Sequence, residues 1–282
     1  MDLSALVQQV FKKSVLHHQP LESGLSNDNT LITLDNGERF VVRTPRAQTE
    51  HFFDRLLESQ VIERIRSLNL DVECHYFDST LGIKITRYIE NAHHFSECKL
   101  SLSEKMNSVA FLLRRLHNAA IEGYPSFNPF ERLRQYRQTI KIPIPGLCNA
   151  EWENALQRRW ELSPKILCHN DVVSGNLLFT SNRAYLIDYE YAGSNDPFFD
   201  VASFLSENNL VDGAKIQEFL AIYLIRVPLA EELEHLMNWI HFQDLLWANW
   251  AMVMYEQYHQ PIYLNIFHEK TTRYHLWQSN RK

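Results

Sequence analysis

Cys168-His169-Asn170-Asp171-Val172-Val173-Ser174-Gly175-Asn176, followed downstream by Leu186-Ile187-Asp188-Tyr189-Glu190-Tyr191, is the most informative part of this chain. Moving a phosphoryl group onto an alcohol requires a carboxylate that orients the hydroxyl and accepts its proton. It also requires oxygen ligands that hold magnesium against the phosphates. An HxDxxxxN loop followed by a strand ending in Asp supplies both. Taken singly, Asp171 and Asn176 read as turn formers and Asp188 as a strand-end cap. In this order and spacing they read as phosphoryl-transfer machinery.

Outward from this loop, Lys165–Cys168, Leu177–Thr180 and Ala184–Ile187 are short β-type runs, the last two separated by the turn Ser181-Asn182-Arg183. Upstream, Leu31 and Thr33 and then Phe40, Val41 and Val42 are β-favouring, with the hairpin signal Asp35-Asn36-Gly37 between them. Helical spacing of Leu56, Leu57, Val61, Ile62 and Ile65 predicts a helix within residues 50–68, and strand character returns at 74–77 and 82–89. The N-terminal part is therefore a small antiparallel sheet crossed by one helix. Past Glu90 the chain turns mainly helical, with Ser101 as an N-cap, a loop at Ile142-Pro143-Ile144-Pro145-Gly146, and helices expected near 199–207, 214–224, 229–258 and 266–277. The fold class read from these elements is α+β, with residues 1–88 as a β-rich lobe and 89–282 as a larger helical lobe.

The whole-chain properties narrow the partners. A chain of 282 residues that is 45% hydrophobic can bury a sizeable core, while a net charge of −6 argues against nucleic acid or an anionic membrane as the main partner. A small cation or neutral ligand suits it better. Leu3, Leu6, Val7, Val10 and Phe11 follow helical spacing without a basic, apolar leader pattern, so no signal peptide is expected, and no apolar run reaches the length of a membrane span. Cys74, Cys98, Cys148 and Cys168 form no CxxC pair and read as reduced thiols of a cytoplasmic protein. Oligomeric state is not encoded in any pattern of this kind.

The segment 168–191 resembles the catalytic and metal-binding loops of the choline/ethanolamine kinase family, relatives of the aminoglycoside phosphotransferases and of protein kinases, and is most similar to bacterial choline kinases. The resemblance implies a protein-kinase-like two-lobe fold, ATP and Mg2+ as cofactors, and a small cationic alcohol as substrate. It implies Asp171 as catalytic base, Asn176 and Asp188 as magnesium ligands, and Glu190 near a second metal. Asp200 matches the aspartate that braces the catalytic-loop backbone, although a helix N-cap is an equally physical reading; His169 reads as a packing and hydrogen-bonding residue. Position 170 is Asn where protein kinases carry Arg. Only eleven residues separate Asp188 from Asp200, too few for a long phosphorylatable activation segment.

In the nucleotide lobe, Gly24-Leu25-Ser26-Asn27 resembles the family's phosphate loop, in which Gly24 permits close backbone approach while Ser26 and Asn27 donate hydrogen bonds. Arg43 ends a strand where the family places its phosphate-neutralising cation, with Glu63 expected as its acidic partner and Glu58 as second choice. Thr86-Arg87-Tyr88-Ile89 matches the hinge that addresses adenine through backbone groups. Trp247 and Trp250 share one helix face, which in an arbitrary chain means core packing. The resemblance instead makes them walls of a cation pocket together with Tyr191 and Glu207, and leaves Tyr263, Phe267 and Tyr274 as candidates for the remaining wall. A quaternary ammonium donates no N–H hydrogen bond, so ring faces and a carboxylate are the chemistry that recognises it. Thiamine, ethanolamine and other amino alcohols are rival substrates, and a non-catalytic nucleotide-binding protein is the rival class. The intact Asp171, Asn176 and Asp188 speak against that class.

Overall fold

A computed structural model describes residues 3–21, 27–46, 54–119, 123–144 and 146–280. In chain order its elements begin with α1 (Leu3–Phe11), β1 (Val15–Pro20), β2 (Asn27–Leu34), β3 (Arg39–Pro45), α2 (Arg55–Ile65), β4 (Cys74–Asp78), β5 (Ile83–Arg87), β6 (His93–His94) and α3 (Leu102–His117). They continue with α4 (Pro129–Thr139), α5 (Ala150–Leu162), β7 (Ile166–Cys168), β8 (Leu177–Phe179), β9 (Ala184–Leu186), β10 (Gly193–Asn195), α6 (Pro197–Glu207), α7 (Gly213–Leu224), α8 (Ala230–Tyr258) and α9 (Pro261–Asn280). Residues 1–119 and 174–192 make one compact unit, and residues 120–173 and 193–282 make another.

The first unit is built on a five-stranded antiparallel sheet of order β1-β2-β3-β5-β4. Side chains alternate across a strand, so Ile32 and Leu34, Phe40 and Val42, and Ile83 and Ile85 fall on one face, where Leu6 and Val7 of α1 close the core over them. The same alternation sends Arg43 and Lys84 to the opposite face, and the β3–β5 register sets these two cations directly across from each other. The predicted hairpin turn is present: Gly37, at φ 84, donates its N–H to the Leu34 carbonyl. Asp54 caps α2 by accepting the Leu57 N–H, and Ser101 caps α3 in a reciprocal capping box with Glu104. The later insertion 174–192 is a hairpin, β8 on β9, that also pairs with β6 and returns the Ile187 N–H to the Asn176 carbonyl at 2.9 Å.

The second unit is helical around α8, which packs on α4, α6 and α9. Its core is aromatic: Phe130 lies against Trp160, Trp239 and Phe242, and Phe199 meets Trp239 edge-on. One short antiparallel ladder, β7 with β10, pairs Cys168 with Gly193 and so anchors the start of the His169–Val173 loop. Asp196 caps α6 by accepting the Phe198 N–H and is itself held by His235 at 2.6 Å. The N-cap of this helix is thus Asp196, which leaves Asp200 free of that duty.

Gly82 closes the turn between β4 and β5 at φ +66, and a Cβ added there would lie 2.6 Å from Pro45 Cγ and 2.9 Å from Arg55 Nε. Substitution Gly82→Ala combines backbone strain with a clash and is expected to lower the unfolding free energy by about 1–3 kcal/mol. An unchanged midpoint in urea denaturation would contradict this.

Candidate active site

Arg43 is the centre of a buried cluster of charge within the first unit. Its guanidinium grips Glu58 with two parallel bonds, Nη1 to Oε1 at 2.7 Å and Nη2 to Oε2 at 2.8 Å, and Nη1 also donates to Asp188 Oδ1 at 2.7 Å. Lys84, across the sheet ladder, donates to Glu58 Oε1 at 3.1 Å and lies 3.8 Å from Asp188. Arg55, the first residue of α2, reaches Glu58 Oε2 at 3.0 Å and Glu190 Oε2 at 3.2 Å. Burial opposes charge on Arg43, but Glu58 and Asp188 outweigh it and raise its pKa. Burial likewise opposes ionisation of Glu58, and Lys84 and Arg43 overcome it and hold the carboxyl well below the usual range.

The acidic partner of Arg43 is therefore Glu58 and not Glu63. Glu63, with 68% of its side chain exposed, pairs with Arg66 on the outer face of α2. The helix geometry explains the correction. Glu58, Ile62 and Ile65 follow the i, i+4, i+7 stripe that α2 buries, whereas Glu63 falls one residue past it.

Asp188 has φ 67, a left-handed conformation that Asp tolerates better than most residues and that aims a strand end away from its ladder. Its carboxylate is a quarter exposed. Glu190 is buried, and its Oε2 accepts from Asn27 Nδ2 at 3.0 Å as well as from Arg55. Burial, reinforced by the charge of Asp188, pushes the Glu190 carboxyl up to about 7. Gly24 and Ser26 lie outside the described residues; Asn27, at the start of β2, joins the cluster through Glu190. Tyr88 donates its N–H to the Arg39 carbonyl, and its ring stacks under the Arg39 guanidinium. Tyr191 ends the 174–192 insertion and is buried.

In the second unit, the loop carrying Asp171 is held from below by α6. Asp200, fully buried, accepts the backbone N–H of His169 at 2.7 Å with one carboxylate oxygen and that of Asn170 at 2.6 Å with the other. Ser203, one turn further along α6, accepts the Val172 N–H at 2.9 Å, and Asn208 donates to the Val172 carbonyl. Asn170, at φ 67, makes the sharp turn, and its side chain is fixed by Asn195 at 2.8 Å. His169 accepts the Asp171 N–H through Nδ1 at 3.3 Å, a positioning contact. Every residue flanking Asp171 is thus tied down.

Elsewhere in this unit Trp247 and Trp250 meet edge-to-face at 6.1 Å, and Trp250 meets Tyr263 at 5.8 Å, so three rings from α8 and α9 form one aromatic corner. Tyr274 instead packs in the core on Trp152 and Trp277. Phe267 has a ring contact with His268. Glu207, the last residue of α6, accepts a bond from Lys270 at 2.6 Å. Beside it Arg273 pairs with Asp244, whose carboxyl burial pushes up to about 6 in spite of that guanidinium. Among these partners Arg55, Lys84, Ser203 and Lys270 were not anticipated. Lys84 was discoverable once β3 and β5 were paired, and Lys270 as a lone cation at core spacing on α9.

The phosphotransferase enzyme family model matches residues 17–233, and the chain belongs to that family. Among individual relatives, protein LicA of Haemophilus influenzae is 31% identical over 212 residues, covering 72% of this chain and 62% of the relative's own length. Of solved structures, choline kinase LicA from Streptococcus pneumoniae superposes with a TM-score of 0.80 at 27% identity over 96% of both chains. A LicA complex with AMP gives 0.77 at the same identity and coverage. The α+β architecture is the kinase-like fold of these neighbours, and no helix among the described residues is long and apolar enough to cross a membrane.

Replacing Glu58 by Gln leaves Arg43 and Lys84 buried with a neutral partner, and is expected to lower the unfolding free energy by about 3–5 kcal/mol. The exposed change Glu63→Gln should stay within about 0.5 kcal/mol. Denaturant melts of the two variants side by side test the assignment, which fails if Glu63→Gln is the more damaging.

Proposed function

We propose that this chain is a choline kinase, which transfers the γ-phosphoryl group of ATP to the hydroxyl of choline with Mg2+ in the cytoplasm. The observation that carries the reading is the braced loop of Asp171: a carboxylate on a backbone pinned by Asp200, Ser203 and Asn208, in the motif that phosphoryl transfer to an alcohol requires. Its similarity to the LicA proteins supports the choice of alcohol. Residues 1–88 act as the nucleotide-binding lobe in this reading, and residues 89–282 carry catalysis and substrate binding.

Asp171 accepts a hydrogen bond from the choline hydroxyl, orients its oxygen toward phosphorus and takes up the proton as the bond to phosphorus forms. Arg43, pre-set by Glu58, neutralises phosphate charge without having to be reoriented. Gly24, Ser26 and Asn27 are the phosphate-loop residues of this reading, and the segment Thr86-Arg87-Tyr88-Ile89 meets adenine through its backbone. Asn176 and Asp188 offer hard oxygen donors, and the hairpin bond from Ile187 to Asn176 keeps the two segments in register, so the donor set fits Mg2+. They would hold the ion with Glu190 close by. When bound, magnesium supplies charge neutralisation of the phosphate oxygens. Trp247, Trp250, Tyr191 and Glu207 enclose the trimethylammonium group, with Tyr263 extending the aromatic wall.

An ATP-consumption assay against choline, ethanolamine, thiamine and aminoglycosides tests the reading directly, with choline expected to give the highest kcat/KM. In the same assay Asp171→Asn should lower kcat by about 10²–10⁴-fold while leaving ATP binding intact. Near-normal turnover by the folded variant would remove Asp171 from the role of base. Trp250→Ala is expected to raise KM for choline by about tenfold with little change in KM for ATP. A destabilised variant with unchanged choline KM would return Trp250 to plain core packing.

A further inference from the structure

The buried stripe of α9 runs Tyr263, Lys270 and Tyr274, with half-buried Phe267 on the same helical face, and α9 packs on α8. A lysine between two fully buried tyrosines is out of place in such a stripe unless its charge has a dedicated partner. Lys270 is only 3% exposed, and its ammonium donates to Glu207 Oε1 at 2.6 Å. Next to this pair Arg273 binds Asp244 and also Ser206, the neighbour of Glu207, through both its carbonyl and its hydroxyl. The end of α6 is thus met by two cations from α9, and Glu207 is neutralised before any ligand arrives.

The consequence depends on the chemistry of the ligand's head. A primary ammonium carries three N–H donors and, once desolvated, needs acceptors for them. A trimethylammonium group donates none and is held by ring faces. In a pocket walled by Trp247, Trp250 and Tyr263, a carboxylate whose Oε1 already accepts from Lys270 and Ser206 and whose charge is already balanced serves the second kind of head better than the first. We propose that Lys270 is a specificity-determining residue: by occupying Glu207 it makes the pocket select quaternary over primary ammonium alcohols. This rests on the reading of Trp247, Trp250 and Glu207 as the cation pocket of a choline kinase.

The test compares kcat/KM for choline and for ethanolamine in the wild type, Lys270→Met and Lys270→Arg, with thermal melts of each. Lys270→Met removes the ammonium from Glu207 Oε1 and leaves the carboxylate charge unbalanced by it, so ethanolamine should gain more than choline and the choline-to-ethanolamine ratio should fall by about tenfold, mostly through KM for ethanolamine. Lys270→Arg, which keeps the donor and the charge, should hold the ratio near the wild-type value. If Lys270→Met does not fold, Lys270→Gln, whose amide can still donate to Glu207, is expected to move the ratio in the same direction by a smaller factor. A folded Met or Gln variant with an unchanged ratio overturns the inference, because a merely structural lysine would alter both substrates alike. A wild type that phosphorylates neither alcohol overturns the choline-kinase reading itself, and the inference with it.

Discussion

A guanidinium buried in a sheet must be met by carboxylates, and the first unit is organised around meeting that demand for Arg43. Three elements far apart in sequence converge on it: α2 brings Glu58, β5 brings Lys84 as a second cation, and the hairpin 174–192 brings Asp188 and Glu190. Removing any one carboxylate exposes the rest to the full penalty of an uncompensated buried charge. The cluster therefore ties together the β3–β5 register, the buried stripe of α2 and the position of Asp188. Gly82 lacks a side chain for the same reason, since Arg55 and Pro45 fill the space that a Cβ would take.

The second unit solves a different problem, how to hold a short irregular loop without a sheet of its own. A single carboxylate, Asp200, takes two consecutive backbone amides, and the turn they define needs the left-handed residue Asn170. Asp188 in the other unit adopts the same unusual backbone region. Asn and Asp are the side chains that occupy it at least cost short of glycine. Both positions thus combine backbone geometry with a polar function.

Much of this was legible in the sequence, and the failures have physical causes. The hairpin of β8 and β9 is legible because two β-type runs flank the turn Ser181-Asn182-Arg183, and the loop 168–176 stands out by the order and spacing of its polar residues. Ser101, Gly37 and the long helix α8 follow from local rules of capping, turn formation and periodicity. The helices α4 and α5 carry a weak sequence signal because their surfaces are rich in Arg, Gln and Glu, and their buried faces are carried by a few widely spaced residues such as Phe130, Leu133, Trp152 and Trp160. The strands β6 and β10 are two and three residues long and have no period to detect. The choice of Glu63 over Glu58 fails on helix periodicity: Glu58 falls on the apolar stripe of Ile62 and Ile65, and a carboxylate on that stripe is the one that meets a buried cation. Arg55 sits at i,i+3 from Glu58 and reads as an ordinary surface pair, while the partners of Lys84 and Lys270 lie 26 and 63 residues away and show only once strands or helices are paired.

The chain enters the first unit twice, at its beginning and again at residues 174–192. On the ribosome, the sheet, α2 and their cations emerge long before Asp188 and Glu190 do. Until then, Arg43, Arg55 and Lys84 share hydrogen bonds with one carboxylate, Glu58. An excised fragment that stops at residue 119 would be held permanently at that stage, with Glu58 the one carboxylate among the described residues that all three cations reach. Completion of the charge cluster in the first unit is therefore tied to synthesis of the 174–192 hairpin. Any attempt to split this protein into separately expressed halves has to carry the 174–192 hairpin along with the N-terminal piece, whatever boundary the linear sequence suggests.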